Sequence, residues 1–449
     1  MSDSSGLSSR QSDADEDVGE SIFGLIERLY PICRSITGDG VRKTLDVLKE
    51  RIPLDVFEVA SGTRVFDWYV PKEWNVKNAH IHDSRGRKVV DFDQHNLHLV
   101  SYSVPIREKM CLSDLKPHLH SLKENPDWIP YRTSYYTESW GFCLADTVLQ
   151  ALEDDLYEVV IDSTLADGSL TYGECFVPGQ CEDEVLIYTH TCHPSLANDN
   201  CSGMAVATAL AEDLMRGEPR LSYRFVFGPG TIGSITWLSQ NEDRLERIQH
   251  GLVLGLVGDS AGLRYKSSRY GDHVIDRAAR HVLESHTNAC LERFSPYGYD
   301  ERQFCSPGIN LPVGRLTRSP EGGYPEYHSS ADNLTLVKPD ALAGSFAVCK
   351  RILGIVEQNT RYLNLAPMGE PQLGRRGLYR AMGGEDIPDR EYALLWILNQ
   401  SDGRNSLMDI SERSGLTFEV LAAAAGELTS AGLLRDIDSS AEVHGGRES

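Results

Sequence analysis

The sequence predicts an α/β fold: a mostly parallel sheet flanked by helices, with an inserted small β-rich domain and a C-terminal winged-helix-like module. Three observations carry this. After Leu156 strand-like and helix-like patterns alternate, through LYEVVID, DEVLIYTH, a helix over 202–215, YRFVFG, a helix over 233–248 and GLVLGLVGD. Such alternation builds parallel sheets covered by helices on both faces. From about Arg64 to Tyr136 the pattern is instead short alternating runs such as VFDWYVP and HNLHLVSYSVP, broken by Pro, Gly, Asn and Asp, which reads as a β-rich insert. Near the end, EYALLWILNQ, SLMDISERSG and TFEVLAAAAGELTSAGLL read as three short helices, the order of a winged helix-turn-helix.

Taken in order, residues 1–19 form a polar, acidic stretch, expected as a disordered tail. Ile22, Leu25, Ile26 and Leu29 then share one helix face, Pro31 interrupts, and Val41, Leu45 and Leu48 resume the spacing. The expected division is a main domain of 20–63 and 137–366, an insert of 64–136, a linker of 367–388, a winged-helix-like module of 389–436 and a tail of 437–449. At 449 residues the chain exceeds what one core usually organises.

Sixty-six acidic side chains against 44 basic give a formal net charge of -22, which repels phosphate backbones and anionic lipid at long range. The expected reader helix, from Leu416 to Leu434, carries Glu419 and Glu427 but no Lys or Arg, so specific DNA binding is not expected. The first residues lack the basic start and apolar run of a secretory signal, and no stretch approaches a membrane-spanning length. A cytoplasmic location is the expectation, with no membrane partner and a homo-oligomer left open. Ten scattered cysteines without a C-x-x-C pair read as free thiols, chiefly small core residues. Cys192 and Cys201 stand out because they lie inside the densest polar cluster.

That cluster is HTCHPSLANDNCSG, His190 to Gly203, following a buried-looking strand. His190 and His193 offer imidazole and Asp199 a carboxylate, donors that suit zinc. Pro194, Asn198 and Asn200 keep the segment a loop; the alternative is a polar loop whose histidines cap the next helix. A second loop, GGYPEYHSSADNL, contributes His328. Ligands in such sheets gather beyond the carboxyl ends of the strands. His190 follows VLIYT and Asp259 follows LVLGLVG, so both emerge there.

The order of His190, then DNCSG from Asp199, an aspartate after GLVLGLVG, Asp300 ahead of SPGINLP, and YHSSADN resembles the co-catalytic zinc aminopeptidases, which include glutamate carboxypeptidase. More closely, LYPICRSITGDGVRKTL, VFDWYVPKEW, HTCHPSLANDN, PGTIGSI, DERQFCSPG and EYHSSADN resemble an uncharacterised aminopeptidase-like family associated with polysaccharide biosynthesis, over about residues 20–436. The resemblance implies an aminopeptidase-like hydrolase, a zinc site drawn from His190 or His193, Asp199 and His328, and one or two metals, the second involving Asp259. One departure matters. Where the zinc aminopeptidases have adjacent glutamates, one a general base and one a ligand, this chain has Gly228, Pro229, Gly230 and Thr231, none of which offers a carboxylate. A replacement base is sought in Glu326, two residues from His328, or in Asp300 and Glu301. Glu326 has a second reading, as a support that orients a ligand. Arg34 is a candidate clamp for a substrate carboxylate, its alternative being an ion pair or helix-end contact, and Asp67, Trp68 and Tyr69 of the insert are candidates to cover the site. The function expected is zinc-dependent hydrolysis of an amide or peptide-like bond in a small substrate. Acyl transfer or cyclisation, and a non-catalytic ligand-binding protein with a degenerate peptidase core, are the alternatives.

Overall fold

The computed structural model describes residues 5–320, 322–378 and 388–438. Two compact units divide near residue 350, and each is treated by itself. In the first, eight strands form one sheet. Its centre is parallel: Ser222–Gly228, Glu184–His190, Ile248–Leu254 and Val313–Thr317 lie in that spatial order. Asp55–Ala60 and Ser169–Val177 extend one side through antiparallel pairs. On the other side Arg264–Lys266 pairs antiparallel with Val313–Thr317 and parallel with Cys290–Glu292. The sheet is therefore mixed, parallel through its four central strands and again in the edge pair, antiparallel where these join and on the opposite side.

Burial explains why the central strands read as unbroken apolar runs. Every residue of Glu184–His190 and Ser222–Gly228 is buried, and a strand covered on both faces has no solvent side to alternate toward. Truncating such a residue, Leu186→Ala for example, removes packing worth about 2–5 kcal/mol. Helix Gly203–Leu214 is buried from Gly203 to Ala211, and its Gly and Ala residues let it lie close against the sheet. One charged cluster is also inside: Arg224 meets Glu174 and Glu184, each at 2.7 Å, and the two carboxylates offset the cost of burying the guanidinium.

The expected helical faces are present in Ser5–Leu29 and Asp39–Lys49, where Ile22, Leu25, Ile26, Leu29, Val41, Leu45 and Leu48 are all buried. The first helix begins inside the expected tail, of which residues 1–4 lie outside the described residues. Once the apolar end is packed, adding turns costs little, because helix propagation is far easier than nucleation. The helix expected over 233–248 is shorter, Ile232–Gln240, followed by a 3-10 turn, Glu242–Arg247, and the strand Ile248–Leu254.

A four-stranded antiparallel sheet makes up the insert, in the order Lys88–Asp91, Glu73–His82, Leu156–Ala166, Ile106–Cys111. Its centre includes Leu156–Ala166, assigned from sequence to the main sheet. Alternation marks a half-buried strand without naming its partner, so the boundary at 136 falls short.

The second unit is a three-stranded sheet with three helices, Asp389–Gln400, Leu407–Ser414 and Phe418–Ser430. Arg361–Asn364 is the middle strand, between Asp402–Ser406 and Leu434–Asp436. The module thus starts before the expected linker, of which residues 379–387 lie outside the described residues, as do 439–449 of the expected tail. Ser406 and Asp409 cap Leu407–Ser414 reciprocally, and Gly415, at φ 73, ends it in a left-handed turn.

Candidate metal centre

Asp199 is the hub. Its Oδ1 lies 2.7 Å from His190 Nε2 and 3.9 Å from His193 Nδ1, and its Oδ2 lies 3.1 Å from His328 Nε2. The ligand atoms of His190, His193 and Asp199 all fall within 4.8 Å of one another, and all three residues are buried. Sequence reasoning left open which histidine belongs to the site; the structure brings both to the same carboxylate, with His328 on its far oxygen and partly open to solvent.

Each element has a reason to be where it is. His190 ends a buried strand, and Asn200 holds that end by donating from Nδ2 to the His190 carbonyl at 3.0 Å and to Thr189 Oγ1 at 2.9 Å. Asp332 lies beneath the Asp199 loop, where its carboxylate accepts the backbone N–H of Asn198 at 2.6 Å and of Asp199 at 3.0 Å. Tyr324 adds a third hydrogen bond at 3.2 Å. His328 and Ser195 have φ values of 55 and 45, left-handed backbone that costs about 1–3 kcal/mol for such residues unless neighbours sustain it. The neighbours do so: Tyr131 N–H donates to the His328 carbonyl at 2.7 Å, and Ser195 Oγ accepts from Asn96 at 2.7 Å and donates to the Tyr30 carbonyl at 3.0 Å.

The electrostatics favour ligand-ready forms. Burial pushes His193 down to about 3, so its imidazole is neutral at physiological pH. Burial opposes a charge on Asp199, but the histidines around it outweigh burial and hold its carboxyl well below the usual range. Tyr299 donates to Asp199 Oδ2 at 3.1 Å and stacks on His190 at 4.2 Å between ring centroids. Tyr131, from the insert, packs edge-on against His193 at 5.2 Å and His328 at 5.0 Å.

Several expected residues stand elsewhere. Arg34 is fully buried and bonds the Leu29 carbonyl at 2.6 Å, the His193 carbonyl at 3.1 Å and Cys201 Sγ at 3.0 Å. It braces the histidine loop from below, and no donor is left facing a substrate carboxylate. Asp259 accepts from Asn198 Nδ2 at 2.8 Å and from the Ala261 N–H at 2.7 Å and is not a member of the His190–His193–Asp199 group. Glu326 lines a small cavity of about 320 Å³ with Asp259, Tyr324 and Lys338, to which none of the three histidines nor Asp199 contributes. Glu301 is buried against Lys266 at 2.7 Å. Asp300 differs. Its Oδ1 accepts from the Thr231 N–H at 2.7 Å and Ser234 Oγ at 2.6 Å, while Oδ2 is buried with no partner among the described residues. Burial pushes it up to about 6 against the pull of nearby His190.

That position is informative. His190 and Gly228 are register partners on adjacent parallel strands, so Gly228 to Thr231 leave the sheet beside the cluster. A Cβ at Gly230 would meet Cys192 Sγ at 3.5 Å, Tyr299 at 3.7 Å and His190 Cβ at 3.8 Å, so a side chain there would adjoin the histidines. Asp300 brings a carboxylate to this strand end from elsewhere in the chain. Cys192 itself is buried, accepting from the Gly230 N–H at 3.3 Å and lying 3.5 Å from His193 Nδ1. All ten cysteines are free. Of the residues that sequence reasoning passed over, Asp332 stood in the quoted YHSSADN motif, whereas Tyr131 and Tyr299 carried no signal beyond their type.

The fold defines an aminopeptidase-like α/β protein, and its buried His–His–Asp group has the donor types and spacing of a metal site. Residues 23–359 match the family described as a domain of unknown function, DUF4910, and the chain belongs to that family; residues 360–436 match a winged helix-turn-helix family. A protein of Clostridium acetobutylicum, provisionally described as a polysaccharide biosynthesis protein with an aminopeptidase-like domain, is 52% identical over 421 residues, 93% of this chain and 97% of its own. A crystal structure from the same organism, provisionally described as a peptidase, aligns with a TM-score of 0.90 at 50% identity, covering 96% of this chain and 99% of that one. A zinc aminopeptidase of Bacillus subtilis aligns with a TM-score of 0.55 at 12% identity over 75% of this chain and 94% of its own, a likeness of fold alone.

Proposed function

We propose that the protein is a zinc-dependent hydrolase of an amide or peptide-like bond in a small substrate. The observation that carries this reading is the convergence of His190, His193 and His328 on Asp199. The donor set fits zinc: two imidazole nitrogens and a carboxylate oxygen in one buried group, with His193 held neutral. When bound, the ion supplies polarisation of the scissile carbonyl and a lowered pKa for a water molecule.

The chain's own residues supply the rest. Asp300 is the proton acceptor in this reading, with one oxygen fixed by Thr231 and Ser234 and the other unpartnered. A base tuned upward from an ordinary aspartate suits proton transfer near neutrality. Tyr299 and Tyr131 orient Asp199 and the imidazoles and keep the deep side of the site dry. The winged-helix unit supports packing or protein docking rather than DNA reading. Helix Phe418–Ser430 has no basic residue, and its Glu427 is paired with Arg390.

The absent glutamate pair favours a second reading, a ligand-binding protein built on a degenerate peptidase core. One experiment separates the two: metal analysis of the purified protein, followed by a screen of free-amine aminoacyl amides and N-acylated amides. The description of the Clostridium relative puts acylated amino sugars in that screen. Hydrolysis that stops on chelation and returns with zinc is expected. A zinc-loaded protein inert toward both amide classes would support the binding protein instead.

A further inference from the structure

A second cleft, unrelated to the histidine cluster, lies at the edge of the main sheet around the strands Arg264–Lys266 and Cys290–Glu292. It has a volume of about 650 Å³, within the roughly 300–1,000 Å³ of small-molecule sites. Three guanidiniums line it, from Arg269, Arg280 and Arg293. In a chain of net charge -22, three arginines without a carboxylate partner among the described residues are conspicuous. Arg269 donates to Asn310 Oδ1 at 3.3 Å and Arg280 to the Gly271 carbonyl at 3.3 Å, both neutral acceptors. The Arg293 side chain is exposed and has no hydrogen bond or ion pair among the described residues.

Two carboxylates also line the cleft, and both are already engaged. Asp276 accepts from Tyr265, from the N–H and hydroxyl of Ser268 and from the His273 N–H. Glu292 is bonded to Arg264 at 2.7 Å. Neither neutralises the three guanidiniums. The cleft therefore presents cationic forks toward a concave space, with the ring of Tyr270 beneath Arg269 at 5.4 Å.

We propose that this cleft binds a small molecule bearing a diphosphate. Arginine forks match phosphate oxygens two at a time, and three guanidiniums balance the charge of a diphosphate better than that of a single phosphate. The site is independent of the metal centre and would hold whether or not the hydrolase reading does.

Calorimetric titration of the full-length protein with inorganic pyrophosphate tests it, with citrate as a carboxylate anion of similar charge. Saturable pyrophosphate binding that weakens with added salt is expected, with citrate weaker. Arg280→Gln and Arg293→Gln should each weaken it about tenfold or more, since a charge-assisted hydrogen bond is lost. Both residues are exposed, so the variants should fold, and Arg293→Lys should recover part of the loss. Because pyrophosphate also chelates metals, Asp199→Ala must bind it as the parent does. Absence of binding, equal affinity in the Gln variants, preference for citrate, or loss in Asp199→Ala would each overturn the proposal.

Discussion

Strands Glu184–His190 and Ser222–Gly228 run side by side with His190 opposite Gly228, and both are buried along their whole length. Inside the sheet they do the same work. At their carboxyl ends they differ: the first delivers an imidazole and then the His193 to Asp199 loop, while the second continues as Gly228-Pro229-Gly230 and receives its carboxylate from Asp300. The interior residues fix the sheet, and what leaves its edge can change without disturbing them. Fold and chemistry are separable at single strand ends, so membership of a peptidase-like family does not by itself assign a peptidase mechanism.

The largest expected effect is at the first strand end. Asp199→Ala should reduce bound zinc from about one ion per chain to background by elemental analysis, since the only anionic member of the His–His–Asp group is lost. Retention of the metal would move the centre away from His190 and dissolve the contrast between the two ends.

Next comes the second end. Asp300→Asn should lower turnover about 10²- to 10⁴-fold with zinc retained. A base must be deprotonated, so kcat/KM should rise with pH through about 6 in the parent and lose that limb in the variant. Stability moves the opposite way. A carboxyl raised from 3.8 to about 6 binds its proton more tightly in the folded state, so its contribution is present below about pH 4 and is lost as pH rises to about 6. Denaturation midpoints of parent and Asn variant across that window would show it.

A smaller effect lies beneath the histidine loop. Arg34→Ala takes the guanidinium donor from the buried His193 carbonyl and one of two donors from the Leu29 carbonyl, which keeps the Ile32 N–H at 3.2 Å, and about 2 kcal/mol of stability should be lost, read from chemical denaturation. Loss of zinc without loss of stability would make Arg34 a loop support only. The smallest effect is at Glu326: its cavity excludes the cluster, so Glu326→Gln should leave turnover and zinc unchanged. A large fall would return the base to the second loop and leave Asp300 a structural group.

Much of this was legible in the residues. The apolar spacing of Ile22, Leu25, Ile26 and Leu29 specified a buried helix face, and the HTCHPSLANDN loop announced its donors because a strand and Pro194 leave them little freedom. Other features were hidden for physical reasons. Leu156–Ala166 reads as a strand, but alternation carries no information about which sheet it joins. Arg34 looks like a surface cation until three elements are seen to close around it. Glu326 is two residues from His328 in sequence, and Asp259 follows the strand that pairs with the one ending at His190, yet both line another cavity, because a turn of backbone redirects a side chain without altering its neighbours in the chain.

Tyr131 and the residues before it carry one more consequence. Pro130 bridges to Ser329, Ile129 exchanges hydrogen bonds with Ser330, and the Tyr131 N–H holds the His328 carbonyl. The late histidine is therefore clamped by a segment of the insert. A chimera that swaps in another family member's insert would carry a foreign clasp onto His328, so these two stretches, 198 positions apart at Pro130 and His328, should be inherited as one piece, a change in either demanding an answering change in the other.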